Sequence, residues 1–527
     1  MFRVACVQME ARNVSQYLQT EQEILDSIDT VCEKDDIDLI VFPECTWPAY
    51  YLGENPEAAG LAHERTPQLM EHIGEKAALY GVYVAMGLYL FHGRSLRNAG
   101  VLWNPQGQIA GRVYKSNLWH FDSKYVAPGE EFPVIETPLG KIGLMICADG
   151  RAPEIARILS FKGAEVIIDM TNLVTSGSDP TVLNNPQIEY MLPVRAYENG
   201  VWIIVCDKIG LEAYTVLNTG RSCIINPYGH IVAEASPNQE EVITAAIDTS
   251  ITPPPHRPYP EHRFFSRLGS SLESLPIFSF TKELTAFTGL LCSVAQFSWY
   301  DEEHYFASAS RMIRILQDQD SSLILLPDSG EAEILDRLVH YLQPLLSSGT
   351  VVCLSGKTRL NGEERKAMVG FSKNNFYGPA LYQDDHDPMV FQTEAGRLGF
   401  IVDDEMSLPE KARCLMLEGA QVFLWSDSFP KRISRNVAQC RGAENKVFLM
   451  RNIVADEDSS LIISPSGSIL AAALPGKDQC ISSYIVPVEA YNKTVIPGTN
   501  VVTGRQPNFY KNALNALKER QDREIDG

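Results

Sequence analysis

The chain has 527 residues, 45% of them hydrophobic and 21% charged, with a formal net charge of −21 at pH 7. That length exceeds one ordinary core and predicts two or three domains. The acidic balance excludes a nucleic-acid binder, which needs Lys and Arg against phosphate, and no apolar run approaches the roughly 20 residues that cross a bilayer.

In chain order, residues 1–8 read as a short strand without the long apolar core of a signal peptide. Residues 21–34 have helical patterning, and residues 39–42 are a buried strand ending at Pro43-Glu44. Residues 82–87 and 100–103 are strands, followed by a hairpin turn at Asn104-Pro105-Gln106-Gly107. Gly111-Arg112-Val113-Tyr114-Lys115 comes next. The strand 141–146 runs into Cys147, and the helix 153–162 carries Pro in its first turn. Residues 166–170, 201–205 and 222–225 return to the sheet. The alternation predicts a layered α/β fold. The Pro-rich stretch 252–260 excludes helix and central strand. The eleven cysteines are scattered and form no CxxC pair, which suits a reducing, cytoplasmic setting.

The same landmarks recur in the second half. Residues 4–8 pair with 292–296, and Pro43 with Pro327. Tyr114 pairs with Tyr382, Gly143 with Gly399, residues 195–199 with 441–445, and 226–229 with 464–467. This is an internal duplication, with one domain over 1–280 and another over 289–527. Glu44, Lys115 and Cys147 become Asp328, Gln383 and Asp403, so the second copy is expected to be catalytically inactive. The interval between the Lys and Cys landmarks is also shorter there, which removes pocket wall.

Cys147 follows a strand and precedes a helix, where a nucleophile sits on a tight turn near helix N-terminal amides. A thiol with a free pKa of about 8.5 needs a base at neutral pH. Glu44 at a strand end can supply it, and Lys115 can stabilise an oxyanion. Each residue alone has an ordinary structural explanation. Together they sit at matching landmarks, and the second copy loses all three.

The first copy resembles the carbon–nitrogen hydrolase (nitrilase) superfamily along nearly its whole length. The resemblance rests on Pro43-Glu44, Val113-Tyr114-Lys115, the elbow Cys147-Ala148-Asp149-Gly150-Arg151-Ala152-Pro153-Glu154, residues 195–199 and the strand-turn 220–229. It implies a four-layer αββα sandwich in each copy, a Glu44-Lys115-Cys147 triad, an oxyanion hole of Lys115 and the Ala148 amide, and no metal or organic cofactor. Family members often dimerise sandwich on sandwich, so the two copies would pack as an intramolecular pseudo-dimer, or else the second is an independent passenger. Further homo-oligomers are compatible with the same resemblance. Asp122 stands where many members carry a second glutamate. It either positions Lys115 or pairs with Lys124.

The nucleophile context Cys147-Ala148-Asp149 differs from the Cys-Trp-Glu of true nitrilases. The expected activity is therefore hydrolysis of a small amide or N-carbamoyl compound through a thioester on Cys147, releasing ammonia. An acyl transferase and a non-enzymatic scaffold are the alternatives. Arg151 either reads a substrate carboxylate or pairs with Asp149 or Glu154. Trp119, His120, Tyr50, Trp47 and Tyr51 are candidate pocket residues, as are Thr171 and Asn172 by position.

Overall fold

The computed structural model describes the chain except residues 55–56, 176–180, 252–263, 265–266, 281–287, 331, 383–388, 455–457, 510, 513–514, 516–517 and 520–527. It divides into two compact units. One comprises Met1–Tyr259 with Ile496–Thr499 and Asn508–Gly527, and the other Pro260–Val495 with Asn500–Pro507. The Pro-rich stretch 252–260 and the counterpart residue Gln383 lie outside the described residues.

The first unit opens with β1 (Phe2–Gln8), α1 (Tyr17–Lys34), β2 (Leu39–Val41), α2 (Ala58–Tyr80), β3 (Tyr83–His92), β4 (Ser95–Trp103) and β5 (Ile109–Tyr114). It continues with β6 (Val134–Thr137), β7 (Gly140–Ile146), α3 (Pro153–Phe161), β8 (Val166–Met170), α4 (Leu192–Asn199) and β9 (Trp202–Cys206). A short hairpin of β10 (Leu211–Glu212) and β11 (Val216–Leu217) precedes β12 (Cys223–Ile225), β13 (Ile231–Glu234) and β14 (Glu241–Ile247). Two six-stranded sheets result, in the orders β14-β1-β2-β3-β4-β5 and β13-β12-β9-β8-β7-β6. Strands β1, β2 and β3 are parallel, as are β7, β8 and β9, and the flanking strands pair antiparallel.

The sheets face each other. The Cys206 thiol on β9 points at the carbonyls of Val41 (3.1 Å) and Val7 (3.4 Å) in the other sheet. A Cβ on Gly100 of β4 would collide with the side chain of Met170 on β8. Helices α1 and α2 cover the outer face of the first sheet. Their buried stripes, Thr20, Ile24, Ile28 and Val31 on α1 and Ala62, Thr66, Leu69, Ile73 and Ala77 on α2, repeat at three- and four-residue spacing.

The second unit repeats this plan. It has β15 (Leu290–Gln296), β16 (Ser321–Leu325), β17 (Val351–Leu360), β18 (Glu363–Phe371) and β19 (Phe376–Leu381) in one sheet with β26 (Gln479–Ile485). The other sheet holds β20 (Val390–Thr393), β21 (Gly396–Val402), β22 (Val422–Asp427), β23 (Phe448–Ile453), β24 (Leu461–Ile463) and β25 (Ile469–Ala472). One hydrophobic core joins the two, with Val294, Leu323 and Val351 from the first sheet against Leu398, Phe400 and Leu424 from the second. The chain therefore contains two αββα sandwiches, as expected.

Details of the duplication hold at the level of single side chains. Gln8 and Gln296 each give their amide NH2 to two carbonyls and accept a backbone N–H, from Ser222 and Ser460. Arg195 and Arg441 are each fully buried and paired with a glutamate three residues on, at 2.7 Å in both. One pairing read from the sequence is corrected. In β4–β5 Ala99 faces Tyr114, and in β18–β19 Ala367 faces Leu381. Leu381 thus matches Tyr114, and Tyr382, not Gln383, stands at the place of Lys115. The Tyr-to-Tyr match that suggested the other register is a one-residue slip, and a slip of one exchanges the two faces of a strand.

Candidate active site

Strands β2, β5, β7 and β8 run in the same direction, so the residues that follow them gather at one end of the sandwich. Glu44 lies just past β2, Lys115 just past β5, Cys147 just past β7, and Thr171 and Asn172 just past β8. The Glu44 N–H donates to the carbonyl of Thr171 (3.1 Å), which stitches the two sheets together at this end. Lys115 N–H donates to the carbonyl of Asn98 on β4 (2.9 Å).

The side chains of Glu44 and Lys115 are fully buried. Lys115 Nζ lies 2.8 Å from Glu44 Oε1 and 2.7 Å from Asp122 Oδ2. Burial works against the ammonium, but the charges of Asp122 and Glu44 outweigh it and raise its pKa well above the usual lysine value. Asp122 also accepts the Tyr50 hydroxyl (2.9 Å) and the Trp119 N–H (2.9 Å). Of the two readings of Asp122, contact with Lys115 is the one observed, whereas Lys124 is exposed. Tyr50 is buried, and its ring centroid is 5.6 Å from Lys115 Nζ.

Cys147 occupies the left-handed region, φ +51°, at the first residue of a short 3₁₀ turn spanning Cys147–Arg151. That conformation costs a non-glycine residue energy and is characteristic of a nucleophile turned out of the end of a strand. Its N–H donates to Asp169 Oδ1 (2.7 Å), and its Sγ is 3.8 Å from the carbonyl of Asn172. Burial pushes the Cys147 thiol up, with Glu44 acting in the same direction and Lys115 against it. These influences together favour the neutral thiol over the thiolate.

The elbow is braced by buried carboxyls. Asp149 accepts N–H groups from Ser116 (3.1 Å), Asn117 (2.7 Å) and Ile146 (3.1 Å). Burial raises it to about 6 despite these donors. Asp169 is pushed well up by burial, partly offset by the Cys147 N–H. Asp207 accepts Leu173 N–H (2.8 Å) and is raised by burial to about 8. Arg195 donates to the carbonyls of Gly150 (3.2 Å) and Arg151 (3.3 Å). Ala148 is buried, and its carbonyl accepts the Asn117 side chain (2.7 Å).

The other sequence candidates separate. Asn172 is buried beside Cys147, and neither polar atom of its side chain has a partner among the described residues. The Thr171 hydroxyl instead donates to the carbonyl of Cys206 (3.1 Å). Arg151 lies over Trp119, its guanidinium carbon 5.1 Å from the ring centroid. His120 is exposed and binds Pro497 and Thr499 of the same unit (2.8 and 3.0 Å). Trp47 is core, its indole N–H on the Tyr17 carbonyl (3.0 Å). Tyr51 packs edge-on against Phe121. Sequence reasoning missed Asn98, whose Nδ2 donates to Glu44 Oε1 (2.6 Å), and Asp169. Asp169 was visible as a lone polar residue inside an apolar strand, whereas Asn98 follows Arg97 on β4 and carried no such signal.

In the second unit Asp403 keeps the left-handed conformation of Cys147, φ +49°. Its carboxylate accepts Lys366 Nζ (2.7 Å) and Ser428 N–H (3.0 Å). Lys366 also reaches Ser428 Oγ (2.6 Å) and Asp328 (3.2 Å), and Ser355 donates to Asp328. This region therefore does hold a cation. It comes from β18 rather than from the residue after β19.

Residues 3–253 and 338–489 match the carbon-nitrogen hydrolase family model. A protein described as a nitrilase, from Pyrococcus abyssi, is 31% identical over 257 residues, which are 47% of this chain and 90% of that protein. An (R)-stereoselective amidase from Pseudomonas sp. is 29% identical over 201 residues, 38% of this chain and 69% of the other. Among solved structures, an amidase from Nesterenkonia sp. is 21% identical, with 48% of this chain and 90% of that one covered at a TM-score of 0.41. With matches in both halves, the chain belongs to the carbon-nitrogen hydrolase family, whose chemistry is the hydrolysis of carbon–nitrogen bonds.

Proposed function

We propose that the first unit is a thiol amidohydrolase acting on a small amide or N-carbamoyl compound. The observation that carries this reading is the buried Glu44–Lys115–Asp122 cluster at the strand ends that also hold Cys147 in its left-handed turn. Glu44 takes the thiol proton, and the sulfur attacks the carbonyl carbon. An ammonium has three protons, two of them directed at Glu44 and Asp122, so the third remains for the developing oxyanion. The Ala148 N–H is the second donor to that oxygen. The proton on Glu44 passes to the leaving nitrogen, ammonia departs, and a thioester remains on Cys147. Glu44 then takes a proton from water, whose oxygen attacks the thioester, and passes it to the departing sulfur, which frees the acid and restores the thiol and the Glu44 carboxylate.

The second unit lacks the parts for this sequence. A carboxylate at Asp403, held by Lys366, forms no thioester, so we assign this unit no hydrolytic role. We take it as the covalently attached partner of the first, with domains over 1–280 and 289–527. A fragment ending near residue 280 is then expected to be poorly soluble or inactive, and a stable, fully active fragment would overturn that assignment. Among the described residues no helix is long and apolar enough to cross a membrane. The scattered cysteines, with no CxxC pair, are the ground on which we place the protein in the cytoplasm.

The direct test is ammonia release from a panel of small amides and N-carbamoyl amines and amino acids, with Cys147→Ala alongside. Release that disappears in the variant supports the thiol mechanism. Release that survives, or none from any substrate together with no mass adduct on Cys147, counts against it.

A further inference from the structure

The Glu44 carboxylate is gripped through one oxygen. Lys115 Nζ (2.8 Å) and Asn98 Nδ2 (2.6 Å) both converge on Oε1. Oε2 is buried and has no hydrogen-bond partner among the described residues. A buried carboxylate oxygen without a donor is costly and calls for an explanation.

Asn98 supplies one. It is 1% exposed and lies on β4, next to the strand that delivers Lys115. Its carbonyl accepts the Lys115 N–H, so one residue fixes both the backbone of Lys115 and the side chain of Glu44. The bond to Glu44 is the one hydrogen bond of its side chain among the described residues, because Oδ1 is also bare. The amide orientation follows from chemistry, since a flipped amide would set its oxygen against the carboxylate.

We propose that Asn98 is a positioning residue, which anchors Glu44 by Oε1 and keeps Oε2 open as the oxygen that receives the Cys147 proton. The assignment rests on the thiol amidohydrolase reading. A neutral donor is suited to the task, because it orients the carboxylate without adding a second positive charge that would weaken it as a base. The second unit supplies the contrast. Lys366 occupies the corresponding position, its carbonyl accepting Tyr382 N–H (2.8 Å), and its ammonium engages Asp328 directly. The same strand position reaches the carboxylate in both units. Only the first leaves an oxygen free.

The test uses the full-length protein with Asn98→Leu and Asn98→Asp, each checked for folding by circular dichroism. The primary readout is the pH dependence of Cys147 alkylation by iodoacetamide, located by peptide mass spectrometry, which needs no substrate. Removing a hydrogen bond to the charged carboxylate disfavours that form. The lower limb of the profile should move up by about one pH unit in Asn98→Leu, and further in Asn98→Asp, where a like charge faces Glu44. On the best amide, kcat should fall by about tenfold or more with KM changed by less than about twofold. If Asn98→Leu does not fold, the isosteric Asn98→Asp carries the test. An unmoved limb in a folded variant overturns the proposal. Wild-type protein that is alkylated at Cys147 yet hydrolyses nothing would instead sink the amidohydrolase reading, and the alkylation profiles would still decide the role of Asn98.

Discussion

Lys366 in the second unit stands where Asn98 stands in the first. Each gives its carbonyl to the N–H of the residue after the neighbouring strand, Tyr382 or Lys115, and each reaches the carboxylate after the second strand, Asp328 or Glu44. The cation has moved by one strand between the copies. There it lies 2.7 Å from Asp403, the residue at the position of Cys147. A carboxylate at Asp403 needs a counter-charge that a thiol does not, and Lys366 supplies it.

Lys366→Met should accordingly destabilise the second unit. It leaves Asp328 and Asp403 buried without the ammonium that contacts both, and breaking such a pair from one side costs about 3–5 kcal/mol. Urea denaturation reads the loss. Specific activity per folded molecule is expected to stay at the wild-type value, and a selective loss of kcat with unchanged stability would contradict the inactive assignment.

Asp122 is the test of side-chain length in the first unit. Its two oxygens are committed to Lys115, Tyr50 and Trp119 at 2.7–2.9 Å. Asp122→Asn removes one of the two charges that hold Lys115, and kcat should fall by about 10²-fold, the scale of losing one preorganised electrostatic partner. Asp122→Glu keeps the charge but inserts a methylene into a closed set of contacts. Overpacking of this kind costs about 1–3 kcal/mol, so a lower melting temperature is expected with partial activity. A glutamate variant as stable as wild type would show that the pocket has room that these contacts deny.

The stability of the first unit should depend on pH through Asp207. Burial raises this carboxyl to about 8, whereas an unfolded aspartate titrates near 3.9. Between those values the folded state holds a proton that the unfolded state has released. Stability therefore falls as pH rises through this window and levels off above about 8. Asp207→Asn retains an oxygen for the Leu173 N–H and removes the titration. Its melting temperature relative to wild type should rise from pH 5 to pH 9. An offset that is the same at both pH values would exclude Asp207 as the cause.

Much of this was legible in the sequence because strand ends and turns carry strong local signals. The eight-residue elbow from Cys147, Pro43-Glu44 and the segment 195–199 were readable as motifs, and the strand 166–170 matched β8 to the residue. What failed was register. Tyr114 and Tyr382 look equivalent as letters, but ladder pairing matches Leu381 to Tyr114, and spacing alone cannot detect a slip of one. The sequence reading places no element over the 23-residue helix α2, which holds Pro67 in its interior, although its buried stripe keeps helical spacing. Asn98 could not be assigned a role because its function depends on a carboxylate 54 residues away in sequence.

Arg151 offers the most direct handle on the substrate. Its guanidinium lies over the Trp119 ring at 5.1 Å, on the turn that begins at Cys147. The contact keeps a guanidinium charge beside the turn that carries Cys147, and a guanidinium can meet a carboxylate in bidentate fashion. Lysine keeps the charge but loses the fork. If the substrate carries a carboxylate, Arg151→Lys should lower kcat/KM for N-carbamoyl amino acids by about 10–100-fold, mainly through KM, and leave neutral amides of similar size nearly unaffected. If Arg151 only supports the turn, both substrate classes should lose activity together and the melting temperature should fall with them. The ratio of the two losses, measured on one preparation, separates recognition from support without knowledge of the natural substrate.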